Sequence, residues 1–289
     1  MAEVLKAGVP NQNCLVCRAP YVPSRWKGLV QCDRCGFVSA DTNLSDSELE
    51  HIYSKDYFHG GEYLDYIEEE RSLRENFRAR IATLHKVAPD LASRDLFEIG
   101  CAAGFFLDEV RGAVRSASGL DLSDYAVKFA RERMQVNAHK GDYLSYDLRR
   151  KFGIIAMWDT IEHLSRPDLY VAKASHDLEP GGLLALTTGD IGSLNARLRG
   201  SKWRMIHPPT HLHYFSVQSI TSLLERHGID TVHVSHPGIS RNLQSILYYV
   251  LAWRMKQSAL YEFLKRQKFS RLRITVNLFD VMYVIGRKR

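Results

Sequence analysis

The sequence predicts an α/β fold, an open and mainly parallel sheet with helices on both faces. Three observations carry that prediction. In Asp95-Leu96-Phe97-Glu98-Ile99-Gly100-Cys101-Ala102-Ala103-Gly104-Phe105-Phe106-Leu107 an apolar strand ends in an acid and a glycine turn, and a helix begins at once. A second acid closes the next strand, in Ser118-Gly119-Leu120-Asp121-Leu122. Beyond it, short apolar runs alternate with helical stretches, the pattern of parallel strands joined by crossovers.

The glycine turn carries most of the chemistry. Glycine has no Cβ to hold a ligand away from backbone N–H groups, and the following helix N-terminus faces the same space. An acid about 20 residues past such a turn is where doubly wound folds hold a nucleotide ribose, and Asp121 stands there. A dinucleotide site would show G-x-G-x-x-G facing a pyrophosphate. Here Glu98 takes the place of the first glycine. A carboxylate repels a pyrophosphate and attracts a cation, which favours the amine-bearing methionine end of S-adenosylmethionine.

From Glu98 onward the chain resembles the class I S-adenosylmethionine-dependent methyltransferases. Their acid-x-Gly-x-Gly-x-Gly signature reads here as Glu98-x-Gly100-x-Ala102-x-Gly104, with alanine for the middle glycine. The resemblance implies a Rossmann-like, seven-stranded methyltransferase sheet. It also implies cofactor contacts from Glu98, Gly100, Gly104, Asp121 and Leu122, and from Asp142 and Tyr143 in Gly141-Asp142-Tyr143-Leu144. Lys151–Asp159 reads as a buried strand whose Trp158 borders the same cleft, and it leads into Thr160-Ile161-Glu162-His163-Leu164, similar to the family's "E-H-L" segment. A helix over 167–178 then ends at Pro180-Gly181-Gly182, ahead of the strand Leu183–Thr188. The likeness covers roughly residues 84–230 and a terminal strand at 280–285.

Cysteines mark a separate module. Cys14-x-x-Cys17 and Cys32-x-x-Cys35 form two knuckles with fourteen residues between them, the spacing of a four-thiolate Zn2+ site. Four thiolates close the coordination shell, so the zinc expected here is structural. Cys101, in the glycine turn, is the fifth cysteine. Paired knuckles, with no signal-like apolar segment at the N-terminus, point to a reducing, cytoplasmic setting over a disulfide scaffold.

The regions expected are a zinc-binding module (1–42), an aromatic lid and linker helix (43–83), and a methyltransferase domain (84–289) with a C-terminal helical insertion at about 239–277. The lid is drawn from the aromatics of Ile52–Tyr63 before and after Gly60-Gly61, and a helix over 66–85 follows.

His207-Pro208-Pro209-Thr210-His211-Leu212-His213-Tyr214-Phe215-Ser216 falls after the fifth strand, on the edge where ligands sit. Ser216 reads as the N-cap of a helix over 217–227. Histidine titrates near neutral pH and can take a proton from a hydroxyl or amine. His211 and His213 are candidate catalytic bases, as is His163 beside the fourth-strand tip; bracing of the loop is the competing reading.

The net charge of +6 arises at the C-terminus, where residues 241–289 carry eleven Lys or Arg against Glu262 and Asp280. Basic side chains among Tyr248, Tyr249, Trp253, Tyr261 and Phe263 suit a phosphate-bearing acceptor, a membrane surface or nucleic acid. The apolar stretch Leu243–Trp253 is too short to span a bilayer, which takes about 20 residues. The reading is therefore methyl transfer to a small-molecule or glycan acceptor (sugar, nucleotide-sugar or lipid-linked sugar), with peripheral membrane contact through the basic region. An RNA methyltransferase is the alternative, disfavoured because Asp159-Thr160-Ile161-Glu162 stands where amino-methylating base enzymes carry Asn/Asp-Pro-Pro-Tyr. A non-catalytic cofactor-binding protein is the third reading, against which stand Glu98, Asp121 and Asp142.

Overall fold

The computed structural model describes residues 13–41, 67, 69–248, 250, 251, 255–267 and 272–289. The expected aromatic lid of Ile52–Tyr63 lies outside the described residues.

Three short antiparallel strands, β1 (Tyr21–Pro23), β2 (Leu29–Cys32) and β3 (Val38–Ala40), build the N-terminal module. The following helix α1 (Glu70–Val87) begins where an acid enters its first turn and ends with His85 and Lys86 in its last, both favourable to the helix dipole. Its buried side chains include Phe77, Arg80 and Leu84.

The catalytic-type sheet then forms in order: β4 (Asp95–Ile99), helix α2 (Phe105–Val110), β5 (Ser116–Asp121), helix α3 (Asp124–Glu132), β6 (Asn137–Lys140) and β7 (Phe152–Trp158). Next come helix α4 (Pro167–Asp177), β8 (Leu178–Gly189), helix α5 (Leu194–Arg199), β9 (His213–Tyr214), helix α6 (Val217–Arg226) and β10 (Ile229–Ser235). The chain ends with β11 (Ile239–Asn242), helices α7 (Leu243–Leu247) and α8 (Ser258–Lys265), β12 (Arg273–Val276) and β13 (Val281–Lys288).

Seven strands line up as β10-β13-β8-β7-β4-β5-β6. β4 pairs in parallel with β5 and β7, β5 with β6, and β7 with β8, whereas β13 enters antiparallel between β8 and β10. Every residue of β7 is buried, as its unbroken apolar run requires of a strand covered on both faces.

Each face has its own cluster. Phe97, Ile99, Ile155, Met157 and Leu186 pack with α4 and α6 residues and with Cys14, Val16 and Phe37 of the N-terminal module. On the other face Leu96, Ile154, Ala156 and Trp158 meet Phe77 and Leu84 of α1, Phe106 of α2 and Val127 of α3.

The N-terminal module joins the domain through strand pairing: β3 takes β9 as a fourth strand, with Val38 opposite Tyr214 and Ser39 opposite His213. Arg226 of α6 donates from Nη1 to the carbonyls of Leu15 and Val16, at 3.0 and 2.8 Å.

The insertion is not wholly helical. β11 and β12 form an antiparallel ribbon that carries α7 and α8. It is docked on α1: Asn76 Nδ2 donates to the Ser240 carbonyl at 3.1 Å, Ser240 N donates to Asn76 Oδ1 at 2.7 Å, and Arg273 pairs with Glu75 at 2.7 Å. No helix among the described residues is long and apolar enough to cross a membrane.

Candidate functional site

The glycine turn follows β4 at the carboxyl edge of the parallel strands. Gly100 adopts φ +76°, and a Cβ there would lie 2.8 Å from Thr160 Oγ1. Gly104 adopts φ +80°, and a Cβ there would lie 2.7 Å from Val136 Cγ2 and 2.9 Å from the Ala130 Cβ. Both positions therefore demand glycine for conformation and for room. Ala102 also takes a left-handed φ, +44°. That costs an L-residue about 1 kcal/mol, and its N–H compensates by donating to Asp121 Oδ2 at 2.8 Å.

Asp121 thus has two tasks. Its Oδ2 pins the glycine turn and its Oδ1 accepts from the Ser123 N–H at 2.8 Å. Burial pushes its pKa upward, and the N–H groups of Ser123, Ala102 and Leu122 oppose that shift. Each oxygen keeps a further lone pair for another donor. Leu122 next to it is a large apolar side chain left 47% exposed.

Glu98 is the unusual residue. It is buried, and its Oε2 meets no hydrogen-bond partner among the described residues. Burial drives its pKa well above the usual carboxylate value, and the nearby Asp121 charge pushes the same way; only Arg80 opposes them. A buried carboxylate in this state calls for a cation. The donor set here fits S-adenosylmethionine, whose ammonium would meet Glu98 and whose ribose hydroxyls would meet Asp121.

Arg80 reaches in from α1. Its Nη2 pairs with Asp159 Oδ2 at 2.8 Å, and its guanidinium lies over the Trp158 ring, 5.2 Å from the centroid. Burial would raise the Asp159 carboxyl, but the Arg80 charge and hydrogen bond, with the Thr187 hydroxyl, hold it below its ordinary value. Asp142 accepts from the Tyr170 hydroxyl and, at 3.3 Å, from the Leu144 N–H.

Histidines gather just beyond the tip of β7. His163 follows the Trp158 end of β7 by five residues, inside the short helical turn Ile161–His163. His163 Nδ1 meets the Thr210 carbonyl at 2.8 Å, and His211 Nδ1 meets the Met205 carbonyl at 2.9 Å. The two rings meet edge-on with centroids 4.7 Å apart, and His207 lies 3.8 Å from His211. Burial, reinforced by the neighbouring His163 and His207, drives the His211 pKa well below its ordinary value. Burial thus favours the neutral ring and makes it a weaker base than a free imidazole.

The four module cysteines converge as their spacing predicts. All four are free thiols, and their sulfurs lie within 4.8 Å of one another, with Cys14–Cys35 at 3.5 Å and Cys17–Cys32 at 3.4 Å. A tetrahedral zinc with bonds of about 2.3 Å sets its sulfurs about 3.8 Å apart, so the cluster fits one ion. The Val16 N–H donates to Cys14 Sγ and the Cys35 N–H to Cys32 Sγ, at 3.3 and 3.5 Å, the kind of donor that steadies a thiolate.

A family model described as "Methyltransferase domain" matches residues 70–234, more than half of the 289-residue chain. The chain belongs to this methyltransferase domain family. Its matched span starts with α1 and includes Arg80, the glycine turn, Glu162, His163 and the His207–His213 segment; the cysteine module and the 239–277 insertion lie outside it.

Among curated proteins, the chain is 27% identical over 144 residues to a Streptomyces venezuelae dTDP-3-amino-3,4,6-trideoxy-alpha-D-glucopyranose N,N-dimethyltransferase, covering 48% of this chain and 57% of that one. It is 26% identical over 105 residues to a ubiquinone biosynthesis O-methyltransferase of Thiobacillus denitrificans, covering 34% and 45%. The matched segments thus span about half the length of these relatives. Among solved structures, magnesium protoporphyrin IX methyltransferase from Synechocystis PCC 6803, with bound SAH, superposes with a TM-score of 0.53 at 11% identity, covering 81% of this chain and 98% of that one. At that identity the likeness bears on the fold.

Within the methyltransferase domain, three of the sequence expectations need correction or refinement. His213 does not join the cluster of His163, His207 and His211. It lies in β9, where its Nδ1 pairs with Ser39 Oγ at 3.0 Å and its ring stacks on Phe37 with centroids 5.4 Å apart; pairing of β9 with β3 sets it against the cysteine module. The Tyr143 side chain is in the core, donating to Asp177 Oδ2 at 2.8 Å and packing on Phe97. The Trp158 ring is likewise buried, between Phe106, Tyr283 and Arg80. Sequence reading missed Arg80, Asp159, Glu162 and His207. Arg80 had a visible signal, a charged residue inside the Phe77-Ile81-Leu84 stripe; the others needed the chain to fold.

Proposed function

We propose that this protein transfers the methyl group of S-adenosylmethionine to a small-molecule or glycan acceptor. The observation that carries the reading is the buried Glu98 carboxylate, with no donor on Oε2 among the described residues, standing beside Asp121 at a turn whose Gly100 and Gly104 leave no room for a Cβ.

The sulfonium supplies an already activated methyl, so the protein's work is alignment and exclusion of water. Glu98 binds the ammonium, Asp121 accepts from the ribose hydroxyls, and the exposed Leu122 covers the adenine beside Asp142. His163 and His211 face the acceptor and take its proton where the attacking atom carries one. The four-cysteine module holds a structural zinc ion and, through β3 and β9, braces the segment that bears His211.

The relatives act on an amino sugar and in ubiquinone biosynthesis, which supports a sugar, nucleotide-sugar or lipid-linked acceptor. Exposed Leu260, Phe263 and Ile274 beside Lys265, Arg266 and Arg273 on the insertion support peripheral contact with an anionic membrane.

The test is methyl transfer from labelled S-adenosylmethionine into separated pools of nucleotide-sugars, lipid-linked glycans and RNA. Label is expected in one of the first two. Label in RNA, with salt-sensitive binding lost on deleting the cysteine module, would replace this reading by the nucleic-acid one. Tight cofactor binding with no label anywhere would favour a non-catalytic protein.

A further inference from the structure

We propose that a half-open cavity on the sheet face that carries α4 and α6 binds a small aromatic anion, a flat ring bearing a phosphate or carboxylate. The cavity holds about 490 Å3, within the range of about 300–1,000 Å3 that small-ligand pockets span. It lies toward the amino ends of β6 and β7, whereas the cofactor turn follows the carboxyl end of β4. Residues 145–150, between β6 and β7, form one wall.

The sheet makes the floor. In the parallel register Phe97 of β4 stands beside Ser118 of β5, and Ser118 beside Asn137 of β6. Register neighbours share a face, so one row carries a large ring, a small hydroxyl and an amide. The small side chain in the middle leaves the depression. Phe152, at the start of β7, packs on Phe97 with centroids 5.2 Å apart and closes the apolar end. His139 follows Asn137 by two residues, so it faces the same way, and its ring lies 5.8 Å from that of Tyr146 in the wall.

Two groups at the cavity stand without partners. Ser118 is only 7% exposed, yet its hydroxyl meets no hydrogen-bond partner among the described residues. A hydroxyl taken out of water without a partner is costly, so it calls for a polar atom from a ligand. Arg149 is exposed at the mouth, and its guanidinium makes no ion pair or hydrogen bond among the described residues. Its backbone is fixed, because its N–H donates to Asp147 Oδ1 at 2.9 Å.

The local charge favours an anion. Asp95 pairs with both Arg115 and Arg150, and the Arg150 guanidinium lies over the Phe152 ring, 4.6 Å from its centroid. Arg115, Arg149 and Arg150 therefore stand against Asp95 and Asp147, which leaves one positive charge over. The division of labour follows from the chemistry. The aromatic side chains take the ring, Ser118 and Asn137 meet its polar edge, and Arg149 takes the phosphate or carboxylate by charge-assisted hydrogen bonds. Mononucleotides and aryl carboxylates share these features. The site stands independently of the methyl-transfer reading.

The experiment titrates adenosine monophosphate and naphthoate separately into full-length, zinc-loaded protein by calorimetry. Excess S-adenosylhomocysteine keeps the nucleotide out of the cofactor cleft. One equivalent per chain of at least one anion is expected; whichever binds names the source. Ribose phosphate, which lacks the ring, and adenosine, which lacks the charge, are expected to bind at least about tenfold more weakly. Two variants report on the site itself. Arg149→Gly removes the cation at a position whose φ of +56° glycine adopts freely, and Ser118→Val fills the floor with a side chain suited to a strand. Each is expected to lower the affinity about tenfold or more while melting as the wild type does, which shows that it is folded. No binding of either anion below about 1 mM, or affinity unchanged in Arg149→Gly or in Ser118→Val, would overturn the proposal.

Discussion

Replacing Glu98 by glutamine separates what this residue does for the fold from what it does for the ligand. Glutamine keeps the shape and removes the charge. In the cofactor-free protein the Glu98 pKa stands well above its ordinary value because of burial and the Asp121 charge. The sign follows directly: the folded state holds this proton more tightly than the unfolded chain does. Its contribution is therefore fully present below the unfolded carboxylate pKa and lost as pH rises through the folded one. At pH 7.5 the glutamine variant escapes that loss. Its cofactor-free Tm should match or exceed the wild type; a gain of about 1 kcal/mol corresponds to about 2–4 °C. Cofactor binding moves the other way. The charge-assisted bond to the ammonium is worth about 1.5–3 kcal/mol, so the affinity for S-adenosylhomocysteine should fall about 10- to 150-fold. Wild-type affinity should also strengthen as rising pH ionises Glu98, while the variant's affinity does not depend on this proton. Calorimetric titration and thermal scans at matched pH read both effects. A variant that binds as tightly as wild type, or that melts well below it without cofactor, would refute the argument.

Other perturbations test the remaining elements. Gly104→Ala should cost about 2–3 kcal/mol in denaturant unfolding, because a Cβ would meet Val136 and Ala130 as well as an unfavourable φ. Gly28→Ala, with φ +78° and nothing within 4 Å of the added carbon, should cost only about 1 kcal/mol; the reverse order would contradict the packing described. Cys32→Ser should lower zinc from one ion per chain to near zero by elemental analysis and lower Tm, with S-adenosylhomocysteine affinity largely retained; unchanged zinc would exclude a four-thiolate site. His213 is pushed down to about 4 by burial, against the opposing Leu164 and Ser165 carbonyls and the Asp168 charge. Its contribution is present above the ordinary histidine pKa and lost as pH falls toward 4, about 3 kcal/mol in all. The urea midpoint should therefore drop more steeply between pH 7 and 4.5 in wild type than in His213→Gln, and parallel curves would show that the ring does not titrate in the joint.

Much of the fold was legible because its signals are local. Unbroken apolar runs announced β4, β7 and β8, and Pro167 at a helix start and Ser216 with its capping partner Ser219 marked α4 and α6 where they occur. β8 begins at Leu178, so it takes in Pro180-Gly181-Gly182, which the sequence places between the helix and a strand starting at Leu183. The insertion's β11–β12 ribbon was hidden because Ile239–Asn242 and Arg273–Val276 pair across more than thirty residues. In the site, the glycine turn and its two acids are readable since chain order and function coincide there. His213 misled because His211 and His213 look equivalent in sequence, while only His213 lies in β9, where it pairs opposite Ser39 of β3, and His211 stays in the segment before it. Arg80 and Asp159 meet only once α1 lies across the sheet.

The central claim is that Glu98 and Asp121 hold the two ends of one adenosyl ligand. A crystal structure with S-adenosylhomocysteine tests it most directly. The account predicts the ligand's amino group within hydrogen-bond distance of Glu98 and its ribose hydroxyls on Asp121, over an unshifted Gly100–Gly104 turn. Ligand bound elsewhere, or both carboxylates left without contact to it, would contradict the account.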